Sequence, residues 1–171
     1  MLIGSGEAAE GGAGVRQDRL VDSRLVFSGL PGSAREEILR ELADRVGSRG
    51  LVPDPAALFA RLIERERLGC TGLGGGIAIP HCKLADLSDV LVAVATTAAP
   101  VDFGAADGVP VRLLFVVVSP AHAAAAHLQA LARISRLLRT PGVAEALRGA
   151  DSQESLQDAV REAEATLPVT S

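Results

Sequence analysis

Apolar positions divide the chain into segments of helical and strand period. After Ser33, the residues Ile38, Leu39, Leu42, Ala43 and Val46 fall on one stripe at helical spacing. Ser33 and Glu36 form a capping-box pair ahead of it, and Gly47 and Gly50 close it. Asp54-Pro55 reads as N-cap and first position of a second helix, which turns Leu58, Phe59, Leu62 and Ile63 inward and carries Arg65 in its last turn. Val90 to Ala98 and Val111 to Val118 are nearly continuous in β-branched and apolar residues, as in strands covered on both faces. Arg24 to Phe27 predicts a shorter strand before the Gly29 to Gly32 turn, and a loop with Gly104 and Gly108 runs from Asp102 to Pro110. A helix over Ala123 to Arg139 places Leu128, Leu131, Ser135 and Leu138 on one side and leaves Arg133, Arg136 and Arg139 to solvent. Thr140-Pro141 opens a short helix, and Asp151 with Glu154 forms a capping box for a last one. Strands separated by helices, with helices at both ends, predict an α/β layered fold.

Between the second helix and the first long strand lies a glycine-rich stretch from Gly69 to Lys83. Glycine lets a backbone turn tightly and approach a ligand. Pro80 cannot donate to a ladder, so a strand is expected to end there, with His81 at its mouth. The amides of the glycine loop can be aimed at an anion beside it. His81 is therefore the candidate centre of the chemistry. His127 begins the helix after the second long strand, and both histidines can share one edge of the sheet, where α/β proteins place sites. His122 reads as an exposed loop residue.

Composition narrows the classes. With 171 residues and 48% apolar content, the chain can bury a core, which excludes wholesale disorder. Residues 1–20, rich in Gly, Ala and Glu without apolar period, are expected to be a flexible tail before a single domain over residues 21–167. A net charge of −4 without a basic cluster argues against nucleic acid. No apolar run is long enough for membrane insertion, and the start lacks the pattern of a signal peptide. Cys70 and Cys82 suggest free thiols in a reducing compartment and hence a cytoplasmic protein, with one disulfide left open.

Competing motifs fail on particular residues. The dinucleotide fingerprint is broken at Ile77, which stands where its last glycine belongs. The P-loop and the nucleophile elbow do not occur. A zinc set of Cys70, Cys82, His122 and His127 lacks any C-x-x-C or H-x-x-x-H pair. Cys82 follows His81 on an extended chain, so the two point to opposite sides and make no catalytic pair.

The residues that remain resemble a known family. Gly76-Ile-Ala-Ile-Pro-His81, preceded by Arg65-Glu66 and Cys70-Thr71-Gly72, is similar to the signature of the phosphotransferase-system (PTS) IIA domain of the mannitol/fructose and nitrogen-regulatory class. The resemblance continues through Pro100 to Gly104, the Leu-Leu-Phe strand and His127 to Ala132, and covers roughly residues 24 to 165. It implies a mixed β-sheet flanked by helices on both faces, in agreement with the element order.

The resemblance also implies roles. His81 accepts a phosphoryl group from the phosphocarrier HPr or a paralogue, Arg65 lies near that phosphate, and His127 is the second histidine of the site. Members of the family often have Ser where this chain has Cys70, which weakens a hydroxyl role there and leaves Thr71 available. An imidazole, with an ordinary pKa of about 6.5, is nucleophilic near neutrality when a carbonyl or carboxylate holds the proton on its other nitrogen. A phosphoryl group carries its charge on equatorial oxygens, which suits the guanidinium fork of Arg65, and His127 can donate to another oxygen. Amides of the glycine loop, with Thr71 and Gly72 as phosphate-binding residues, are expected to complete the cradle. The implied activity is that of a PTS phosphotransfer component passing the group to a IIB domain for sugar uptake. The alternative is a nitrogen-regulatory module whose phosphorylation state selects protein partners. Neither needs a metal, nucleotide or other cofactor. An apolar ring with Ile79 or Leu84 is the expected docking surface.

Overall fold

The structure, a computed structural model, describes residues 19–168. The expected tail thus lies outside the described residues up to position 18, while Leu20 and Val21 are buried and Val21 N–H donates to Glu164 Oε1 at 2.7 Å. Among the described residues six strands form one mixed sheet. They are β1 (Val26–Leu30), β2 (Gly72–Gly74), β3 (Ile77–Ala78), β4 (His81–Leu84), β5 (Leu91–Val101) and β6 (Val111–Pro120). The main path runs β1-β5-β6-β3-β2, and β4 pairs with β6 beyond β3. Helices α1 (Arg35–Ser48) and α2 (Pro55–Leu68) lie toward one face, and α3 (Ala124–Arg139), α4 (Val143–Arg148) and α5 (Gln153–Glu164) toward the other. Leu114, Val116 and Val118 on β6 belong to the first core cluster, while Leu113, Phe115 and Val117 belong to the second. This alternation explains why the strand reads as an unbroken apolar run: both of its faces are covered. The architecture is the single-domain α/β fold with helices on both faces that the sequence predicts.

Local differences have local causes. The first strand begins two residues later than predicted, because Asp22 accepts the Arg24 N–H at 2.9 Å and the Leu25 N–H at 2.8 Å and holds the chain in a turn. The stripe of α1 is buried as predicted, but its capping box does not form. Ala34 is the N-cap, and Glu37 Oε2 rather than Glu36 accepts the Ser33 N–H, at 2.9 Å. Asp54 caps α2 as expected, accepting from Ala56 and Ala57 N–H at 3.0 and 3.2 Å. The box on α5 sits one residue later, between Ser152 and Ser155. The inward face of α3 is also misphased by the sequence pattern: His127, Ala130, Ile134 and Leu137 are buried, while Leu128 is 66% exposed. The observed stripe runs one residue earlier than the pattern of Leu128, Leu131, Ser135 and Leu138, because the polar His127 takes an inward position.

Cys70 is exposed, Cys82 is buried, and neither is in a disulfide. Desolvation pushes the Cys82 thiol up to about 12, with Arg61 opposing. The native protein is therefore expected to react with one equivalent of thiol reagent at Cys70, and with a second only after denaturant is added. Two fast equivalents in the folded protein would contradict the burial of Cys82.

Candidate functional site

His81 lies on an edge strand. The sequence predicts that the strand ends at Pro80 and leaves His81 at its mouth; instead His81 opens a new one. Proline removes a donor from the ladder but keeps its carbonyl. Pro80 O accepts the Val117 N–H at 3.0 Å, and pairing with β6 resumes in the same register, from Ile77↔Leu113 and Ala78↔Leu114 to His81↔Val117. Alternation along β4 then sends Cys82 and Leu84 into the core and leaves Lys83 exposed beside His81. Among the described residues β4 has β6 as its one strand neighbour, so helices from both sides of the sheet can reach His81.

Two hydrogen bonds define the state of the His81 ring. Its Nδ1 lies 2.8 Å from Ile79 O. A carbonyl oxygen can only accept, so Nδ1 carries the proton and Nε2 the lone pair. Arg65, in the last turn of α2, donates from Nε to that Nε2 at 3.2 Å and from Nη1 to Gly69 O at 2.8 Å. From α3, His127 brings its ring centroid to 5.4 Å from that of His81, at an interplanar angle of 56°. The Nδ1 of His127 is 2.6 Å from the fully buried Ser119 Oγ at the end of β6. When the serine hydroxyl donates, the proton of His127 sits on Nε2. The fold thus brings together Arg65, His81 and His127 from three elements.

His127 is held below the ordinary histidine pKa, first by burial and then by the charges of His81 and Lys83. A lowered folded-state value means that the unfolded chain binds the proton more readily. The contribution of His127 to stability is therefore complete above about pH 6.5 and is lost as pH falls toward the folded value. An imidazole NMR titration is expected to place its midpoint below 6.5, and a higher midpoint would contradict the buried placement.

Thr71 and Gly72 do not join this cluster with their donors. The hydroxyl and the backbone N–H of Thr71 both go to Glu66, which is 3% exposed and pairs with Arg35 at 3.8 Å. Gly72 N–H donates to Cys70 Sγ at 3.1 Å, and that thiol donates to Phe103 O at 3.0 Å. The glycine loop itself forms the turn between β2 and β3, with φ of 89°, 65° and 81° at Gly74, Gly75 and Gly76. Gly75 N–H donates to Asp107 Oδ2 at 2.8 Å, which together with the Val109 N–H holds that carboxyl below its usual range, and Arg148 donates to Gly75 O. Gly76 is about 16 Å of extended chain from His81. The expected cradle of loop amides is therefore not formed: these groups build a hairpin instead.

The sequence reading assigned no role to Ser119, Lys83 or Glu66. Lys83 was accessible from strand alternation with His81, whereas the partners of Ser119 and Glu66 are set by the fold. His122 is exposed as expected, and no group of three His, Cys, Asp or Glu side chains suited to a metal occurs among the described residues. The expected apolar contacts Ile79 and Leu84 are core residues, 5% and 9% exposed, because Ile79 packs into the second core cluster and Leu84 into the first, on opposite faces of the sheet.

A mixed sheet with a tautomer-fixed histidine on its edge, met by an arginine and a second histidine from opposite faces, defines an α/β domain built to present one imidazole nitrogen. Residues 19–163 match the family described as phosphoenolpyruvate-dependent sugar phosphotransferase system, EIIA 2, and the chain belongs to that family. It is 37% identical over 146 residues to the nitrogen regulatory protein of Pseudomonas aeruginosa, covering 85% of this chain and 95% of that protein. It is 39% identical over 132 residues to the PTS system fructose-specific EIIA component of Haloferax volcanii, covering 77% of this chain and 86% of that one. The crystal structure of nitrogen regulatory protein IIA-Ntr from Neisseria meningitidis superimposes with a TM-score of 0.74 at 28% identity, covering 85% of this chain and 99% of that one. No helix among the described residues is long and apolar enough to cross a membrane.

Proposed function

We propose that the chain is a phosphocarrier whose His81 Nε2 accepts a phosphoryl group from an HPr-type protein. The observation that supports this most directly is the Ile79 carbonyl at 2.8 Å from Nδ1, which leaves the Nε2 lone pair as the nucleophile. In the reaction that lone pair forms the new N–P bond while the N–P bond of the donor phosphohistidine breaks, and the donor nitrogen keeps the electron pair. Arg65 moves from the lone pair it now occupies to two equatorial oxygens, and the Nε2–H of His127 meets a third. Thr71 acts through Glu66 on the shape of the loop rather than on the phosphate. No cofactor enters the step.

Residues 21–167 form the unit that carries this activity, in the cytoplasm. Leu68 and Leu128, 81% and 66% exposed, stand just beyond Arg65 and His127 in sequence and supply the apolar docking surface. Transfer onward to a IIB domain for sugar uptake is one continuation of the same step. The alternative, a nitrogen-regulatory module whose His81 phosphorylation state selects regulatory proteins, is favoured by the 37% identity to the Pseudomonas protein over nearly its full length.

The test is incubation with phosphoenolpyruvate, enzyme I and HPr, followed by intact mass and site mapping. One acid-labile phosphoryl group on His81 is expected. No uptake from any HPr-type donor would overturn the reading. Loss of the label to added IIB domain then separates the transport reading from the regulatory one.

A further inference from the structure

A cavity of about 290 Å³ opens where β1, β5 and β6 meet the corner between α4 and α5. It is far from His81 along the sheet. Thr96, on its wall, pairs with Leu113 of β6, whereas His81 pairs with Val117, a separation of about 13 Å along the strand. Both ladders of β5 lose register here, between Phe27 and Leu30 on one side and between Thr96 and Val101 on the other. Such irregularities re-aim groups away from the ladder and recur at binding sites.

The lining is polar and cationic. Gly29 N–H, released from the ladder, donates to Thr96 Oγ1 at 3.0 Å. The Thr96 hydroxyl proton then has no acceptor among the described residues, although Thr96 is 5% exposed. Arg112 reaches the cavity from β6 and has no side-chain partner among the described residues. Arg148 enters from the end of α4, donating to Gly75 O and lying 3.9 Å from Glu145. Asp151 is the carboxylate on the lining.

We propose that this cavity binds a small phosphate monoester bearing hydroxyl groups. Two guanidinium groups with free N–H donors match the oxygens of a tetrahedral anion, and the Thr96 hydroxyl supplies a further donor. The volume, near the lower end for ligand sites, suits a metabolite of a few carbons. Asp151 repels a polyanion and accepts from a ligand hydroxyl, so the phosphoryl end lies at the arginines and the hydroxyl end at Asp151. This site is independent of the chemistry proposed for His81.

The test is a titration of the ¹⁵N-labelled full chain with glycerol 3-phosphate, beside inorganic phosphate and glycerol. Saturable shifts are expected at the amides of Gly29, Thr96, Thr97 and Gly149, with those of Arg65 and His81 unmoved. Arg112→Ala, a change at an exposed side chain without a side-chain partner among the described residues, is expected to weaken binding about tenfold. Asp151→Asn is expected to weaken glycerol 3-phosphate but not inorganic phosphate. Shifts confined to Arg65 and His81, an unchanged affinity in Arg112→Ala, or equal binding of glycerol would each overturn the proposal.

Discussion

His81→Ala is expected to take up no acid-labile phosphoryl group from phosphorylated HPr. The geometry leaves the lone pair of the His81 ring on Nε2, because Nδ1 is committed to Ile79 O. In the wild type, ³¹P NMR is accordingly expected to show an Nε2-linked phosphohistidine. The neighbours contribute in graded fashion. Arg65→Ala is expected to slow transfer about 10²–10³-fold, the usual loss when one preorganised donor to a developing charge is removed. Arg65→Lys recovers only part, since a point charge replaces a fork that can span two oxygens. His127→Ala costs less, about tenfold, because a neutral donor makes a weaker bond than a charged one. Quench-flow with phosphorylated HPr measures all of these. A His81→Ala protein that is still phosphorylated, or an Arg65→Ala protein as fast as wild type, would remove the basis for the assignment.

Glu66→Ala is expected to cost about 3 kcal/mol of stability and to lower Tm by roughly 6–12 °C. Glu66 is the carboxylate that satisfies both donors of Thr71, and it is buried. Truncation leaves those donors without an acceptor and opens a cavity beneath them. Arg35, whose side chain is 37% exposed, can turn to water, so its own loss is small. Glu66→Gln keeps one oxygen acceptor and is expected to lose about 1 kcal/mol. The same bonds tie the end of α2 to the loop that follows, where Gly69 O receives Arg65. Glu66→Ala is therefore also expected to slow phosphorylation at temperatures where the protein remains folded. Thermal unfolding at the wild-type temperature would show that Glu66 is not the anchor described here.

The order of elements was legible because two kinds of periodicity mark it. Both long strands are nearly continuous in β-branched and other apolar residues, and the stripe of α1 is regular. The α3 stripe was misread for one identifiable reason, the buried His127, whose hydrogen bond to Ser119 makes burial of the ring tolerable. The caps of α1 and α5 sit one residue later than the sequence pattern places them, at Ala34 and Ser152, while Asp54 caps α2 as expected; boundaries of this kind are set by local backbone geometry. The glycine loop carried a plausible anion-binding reading, yet its amides and carbonyls meet Asp107, Arg148 and the start of β6.

By itself the sequence determined the α/β class, both long strands, the family, and the three residues Arg65, His81 and His127 that converge. These depend on local periodicity and on a contiguous motif, which a linear chain displays directly. The tertiary structure decided the rest: which His81 nitrogen keeps its lone pair, which hydroxyl meets His127, and that Thr71 donates to Glu66. Hydrogen-bond partners are chosen by distances of a few tenths of an ångström between groups remote in sequence. Those distances exist only once the helices have packed on the two faces of the sheet.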